Sequence, residues 1–162
     1  KLEKFLNKHI GDKSFEDSKI PLAIVATNIA NGKKVVLNKG SVSKAVMAST
    51  AIPGVFEPIE INNKLLVDGG VVENVPVTTI EEMGAETIIA VDLNASHVSD
   101  KPKNIIGVLI NSFHFLLANS TKSQIRQADI LIQPELSKFS MVRLNNAENL
   151  IETGYNAAME LL

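Results

Sequence analysis

Apolar positions along this chain follow two alternating rhythms, one of helical spacing and one of short β-rich runs. Leu2, Phe5, Leu6 and Ile10 fall three and four apart among lysines and a glutamate, so residues 1–10 predict an amphipathic helix ending at Gly11. Gly11 to Ser18 is polar and predicts a loop, and the apolar run from Ile20 to Thr27 predicts a buried strand. Asn31-Gly32 is a tight-turn signal, and Lys34 to Leu37 returns as the second strand of a hairpin. Ser41, after Gly40, is placed to cap a helix over 42–51. The small residues of that helix, Ala45, Ala48 and Ala51 with Val42 and Val46, would let it approach a sheet closely, and Pro53 stops it. Ile59-x-Ile61 and Leu65-x-Val67 flank Asn62-Asn63, a pair that tolerates positive φ, and predict a second hairpin ending at Asp68.

Beyond that point Asn74 and Pro76 read as the cap region of a helix ending near Gly84. Thr87 to Val91 predicts another buried strand with Asp92 at its end, and 94–104 a polar loop. Residues 105–126 carry the longest helical pattern, with Ile106, Leu109, Ile110, Phe113, Leu116 and Leu117 on one face. Its apolar stretch 105–117 reads as a core helix packed on the sheet. The other reading is an acyl-chain channel or a membrane-facing surface, which the polar residues Asn111, His114 and Asn119 do not favour. Ile130 to Ile132 predicts a strand stopped by Pro134, and Glu148 to Leu162 a terminal amphipathic helix. Helices alternating with buried strands indicate an α/β domain, and nothing in the chain suggests a repeat or a linker.

Composition narrows the partners. With 45% hydrophobic and 21% charged residues the 162-residue chain is globular, long enough for a core, and its net charge of −2 gives no footprint for nucleic acid. The absence of cysteine excludes disulfides, thiolate metal sites and cysteine nucleophiles. His9, His97 and His114 show no metal-ligand spacing, so no metal site is expected. No apolar run reaches the roughly 20 residues of a membrane span.

The chemistry centres on Asp68-Gly69-Gly70. A short apolar run delivers one carboxylate to a strand end. Two glycines come directly after it, and these permit positive φ or the close approach of another backbone. Asp and Gly are also ordinary turn formers, so the triplet alone leaves a structural turn and a reactive acid both open.

The wider stretch resembles the patatin-like phospholipase family. The resemblance is carried by Ala48-Ser49-x-Ala51-Ile52-Pro53-x-x-Phe56-x-Pro58, then Val67-Asp68-Gly69-Gly70, then Asn74-x-Pro76-Val77. It implies a three-layer α/β/α fold and a serine–aspartate dyad acting on a lipid acyl ester with no metal or organic cofactor, and Asp68 as the dyad's acid. Gly69 and Gly70 would shape the turn, and Asn74 would tie down the loop after them. A free aspartate, with a pKa of about 3.9, is a weak base at neutral pH, so a closed site would have to raise its basicity. Glu73 stands where relatives often carry asparagine, and Asn28 where they often carry aspartate.

No serine here has glycine at both −2 and +2, the signature of a nucleophile elbow; Ser41, Ser43 and Ser49 come closest and fail. The chain also opens Lys-Leu-Glu-Lys. The expectation is therefore that residues 1–162 are the C-terminal portion of a single patatin-like catalytic domain. An N-terminal segment would bear the Gly-x-Ser-x-Gly nucleophile, and the fragment alone would be inactive. Peripheral membrane contact and a cytoplasmic or membrane-surface location go with that reading. The alternatives are a non-catalytic interaction module on the same fold and a small nucleotide- or phosphate-binding domain; the latter lacks any glycine-rich phosphate loop.

Overall fold

The computed structural model describes residues 2–95, 101–139 and 146–162. The chain divides into two compact units, Lys1–Thr79 and Ile80–Leu162.

The first unit opens with helix α1 (Leu2–His9), closed by Gly11 at φ 63°. The loop predicted for 11–18 contains one 3-10 turn, Phe15–Asp17, which buries Phe15. Strand β1 (Ile24–Asn28) and strand β2 (Lys33–Leu37) form the predicted hairpin, turning at Gly32 with φ 67°. The strand expected from Ile20 starts only at Ile24. Its partner β2 ends at Leu37 opposite Ile24, so Ile20–Ala23 have no β2 residue to pair with, and Pro21 has no N–H to offer. Ile20 is left 77% exposed.

Helix α2 (Val42–Ser49) is capped as its sequence predicts: the Ser41 hydroxyl accepts from the Lys44 amide. Strand β3 (Ile59–Ile61) and strand β4 (Lys64–Asp68) form the second hairpin through Asn62 and Asn63, at φ 52° and 59°. The four strands make one antiparallel sheet in the order β2-β1-β4-β3. Helix α2 packs on β1, β3 and β4 through Ala45 and Ala48. These alanines join Phe15, Ala26, Leu37 and Leu66 in the core, and their small side chains give the close approach expected of them. After β4 come the four-residue helix α3 (Gly70–Glu73), packed on β1 and β2, and the start of helix α4 (Val77–Glu82).

In the second unit, strand β5 (Ile89–Val91) pairs in parallel with strand β6 (Ile130–Ile132), and helix α5 (Ile105–Gln124) lies between them in sequence. Only Ala90 of β5 is buried, so the strand is neither as long nor as covered as its β-rich run predicts. The core-helix reading of 105–117 also fails. Leu109 is 62% and Leu116 68% exposed, and Thr121 is the one buried residue of α5 among the described residues. An apolar face in the sequence states only that a cover is needed, and here Ile106, Leu109 and Leu116 of that face stay exposed while Ile110, Phe113 and Leu117 are half-buried. Helix α6 (Ala147–Met159) comes last, at the predicted place, with none of its described residues buried. Part of the 94–104 loop lies outside the described residues. Among the described residues no helix is long and apolar enough to cross a membrane. The chain is of the α/β class that its sequence indicates.

The Asn62–Asn63 turn is testable. Asn62→Val places a β-branched side chain in the left-handed region, which costs about 1–2 kcal/mol for an ordinary residue. Asn63→Gly should leave stability unchanged or slightly raised. Urea unfolding of the two variants measures the difference.

Candidate functional site

Asp68 is the last residue of β4 and pairs across the sheet with Ala26 of β1. Its polar groups are held from three sides. The amide donates to the Ala51 carbonyl at 3.0 Å. The carbonyl accepts from the buried Thr27 hydroxyl at 2.9 Å. On the side chain, Oδ1 accepts from the Gly70 amide at 2.8 Å, the turn in which an aspartate bonds the backbone two residues on. The next amide, Gly69, reaches the Ser49 carbonyl at 3.4 Å. Within a continuing helix that carbonyl would serve residue 53, but Pro53 has no N–H, so proline frees the acceptor that the end of β4 uses.

Gly69 has φ −66° and ψ −28°, values open to any residue. The positive φ that a Gly-Gly pair allows is not used at either glycine. What requires glycine is space: a Cβ at Gly69 would lie 2.1 Å from the Val25 carbonyl oxygen and 2.7 Å from its carbon. Gly70 is buried and begins α3; Asn74 is the residue that ends it, with right-handed backbone angles.

The serines weighed as nucleophiles have other work. Ser41 caps α2, and the buried Ser43 hydroxyl donates to the Gly11 carbonyl at 3.2 Å. Ser49 is the last residue of α2. His9 stacks against Phe5 in α1, His114 lies on α5, and His97 is outside the described residues. The Asp92 carboxylate is buried and engaged by the Asn94 amide at 3.0 Å and the Gln133 side chain at 3.2 Å, as a loop-capping acid would be. Asn28, the other departure from the family pattern, accepts from the Ala30 amide at 3.0 Å and starts the hairpin turn.

One cluster has no forewarning in the motif. Glu73 is only 5% exposed, and its carboxylate accepts from the Thr78 amide (2.9 Å), the Thr79 amide (3.3 Å), the Thr79 hydroxyl (2.7 Å) and the Thr78 hydroxyl. Lys34 of β2 pairs with it at 3.1 Å and also donates to the Thr78 hydroxyl at 3.1 Å. Thr78 therefore accepts from the lysine and donates its own hydroxyl proton to the glutamate. Burial pushes the Glu73 carboxyl up, but the bonds from Thr78, Thr79 and Lys34 outweigh it and hold the group below its ordinary value of 4.5. The local signal in the sequence is an acid five and six residues before a Thr-Thr pair that opens a helix; the lysine partner has no such signal.

Gly69→Ala should destabilise the protein by at least ~2 kcal/mol, because overpacking costs about 1–3 kcal/mol and here both contacting parties are backbone; thermal unfolding reads it. The folded state binds a proton at Glu73 less readily than the unfolded chain does. Its contribution is therefore complete well above pH 4.5 and is lost as pH falls below that value. Glu73→Gln should cost about 2 kcal/mol at neutral pH, in the range of hydrogen bonds to charged groups. The gap from wild type should narrow on acidification, and a gap constant with pH would contradict the assignment.

Residues 1–80, which include Asp68 and Glu73, match the patatin-like phospholipase family model. An uncharacterized NTE family protein of Mycobacterium tuberculosis is 36% identical over 105 residues, 63% of this chain and 29% of that protein. The lysophospholipase NTE1 of Candida glabrata is 34% identical over 110 residues, 68% of this chain and 6% of that protein. The namesake from Saccharomyces cerevisiae is 33% identical over 106 residues, 65% and 6%. The chain thus spans less than a third of the length of these curated relatives. On the strength of the 1–80 match and these relatives, the chain belongs to the patatin-like phospholipase family.

Proposed function

We propose that this chain supplies the base of a lipid acyl hydrolase working through a serine–aspartate dyad. Asp68 is the general base, and the serine lies in a Gly-x-Ser-x-Gly elbow on a segment other than residues 1–162. Asp68 takes the serine proton as Oγ attacks the ester carbonyl. The proton then goes to the departing alkoxide, leaving an acyl-serine. A water, deprotonated by the same carboxylate, releases the fatty acid and restores the serine. No histidine stands between the two residues. The substrate class is a lipid acyl ester, which the lysophospholipase relatives support.

The observation that carries the reading is the close-packed backbone corner at Asp68, more than its side-chain turn. A carboxylate at a strand end is fixed through its own amide, its carbonyl and one side-chain oxygen, beside a glycine whose place a larger residue could take only by displacing the Val25 backbone. Rigid support of that kind is what proton transfer demands of a base. Gly69 and Gly70 shape the turn, and Asn74 closes the short helix after it.

The test is ester hydrolysis by the full-length protein. Asp68→Asn should lower kcat/KM by about 10²–10⁴-fold, the usual contribution of a positioned base. Undiminished hydrolysis would remove Asp68 from the mechanism. Failure of a fluorophosphonate probe to label any serine in the full-length protein would favour a non-catalytic module on the same fold.

A further inference from the structure

We propose that Glu73, held by Lys34, is a positioning residue for Asp68, acting through helix α3; the proposal rests on the dyad reading. That helix has four residues, too few to hold itself, because a single turn fixes several dihedrals for one hydrogen bond. It is anchored at its start by the Gly70 amide on Asp68 Oδ1. Its turn is closed by the Val72 and Glu73 amides on the Gly69 carbonyl, at 3.1 and 2.9 Å. Its end is anchored by the Glu73 carboxylate, which accepts from the amides and hydroxyls of Thr78 and Thr79 in α4 and from the Lys34 ammonium.

The connections close on themselves. Lys34 stands opposite Thr27 in the β1–β2 register, and the Thr27 hydroxyl donates to the Asp68 carbonyl. Asp68, α3, Glu73, Lys34 and Thr27 thus form one ring through β4, the helix, β2 and β1. An ion pair with its glutamate buried and its lysine half-buried is a poor device for stability, since well-packed apolar residues of similar volume often do as well. What it supplies is one defined geometry. Here it holds the far end of the element whose first amide orients the Asp68 carboxylate.

The experiment uses the full-length protein and a fluorophosphonate, tracking the labelling rate constant and the fraction labelled at completion. The completed fraction counts folded enzyme; the rate constant reports the alignment of base and serine. Glu73→Gln and Lys34→Met should each slow labelling about 10- to 100-fold, the scale of a small misplacement of catalytic groups, with the completed fraction unchanged. Lys34→Arg should restore a rate within about two-fold of wild type, since it keeps the charge and the reach. A wild-type rate constant in either fully labelled variant overturns the proposal, as does a reduced completed fraction with an unchanged rate. If Glu73→Gln does not fold, Lys34→Met decides, because the lysine is 26% exposed and its loss leaves the carboxylate its threonine partners. Asp68→Asn separates the two ideas. Labelling at the wild-type rate in that variant sinks the dyad itself. A dead Asp68→Asn beside unaffected Glu73 and Lys34 variants sinks the positioning role alone.

Discussion

At the end of β4 two stretches of backbone meet more closely than any side chain would permit, Gly69 resting on the carbonyl of Val25. The local arrangement depends on that contact. With Gly69 in place, β4 can pair with β1 up to Asp68 and then turn at once into α3. The same approach brings the Asp68 and Gly69 amides to the carbonyls at the end of α2, one of which is available because Pro53 cannot bond it. Sheet, covering helix and turn are therefore joined at a single residue, and the Asp68 side chain leaves from the joint.

Among the described residues, Asp68 and Asp92 stand at strand ends and make the same local turn, each accepting the amide two residues on: Asp68 from Gly70 and Asp92 from Asn94. The turn alone therefore says little about function. Their surroundings differ in burial and in the element that follows. Asp92 is buried and further engaged by a glutamine, which suits a structural cap. Asp68 is half-buried and leads into a short helix secured at its other end by a buried charge. Burying Glu73 is costly without partners, and it has five donor bonds, four from threonines and one from lysine. The ordering of that corner is a property of the whole cluster.

Much of the first unit was legible because its rules are local. Asn31-Gly32 and Asn62-Asn63 mark turns through residues that accept positive φ, Ser41 marks a helix start through its hydroxyl, and alternating apolar residues mark the faces between them. The Asp68 turn was legible for the same reason, although the purpose of its first glycine was only half read: the requirement is space against Val25, and the backbone angles are ordinary.

What the sequence by itself determined, then, are most of the elements, the two hairpins, the α/β class and the place of Asp68 at a strand end. Each depends on residues a few positions apart, where backbone stereochemistry and periodicity act directly. Only the tertiary structure decided where β1 begins, since a strand exists only as far as its partner runs. It alone decided that Leu109 and Leu116 of α5 stay exposed, since an apolar stripe does not say what will cover it. It alone decided that Glu73 is buried, since its cation comes from a different strand some forty residues away, and no local pattern ties Lys34 to it.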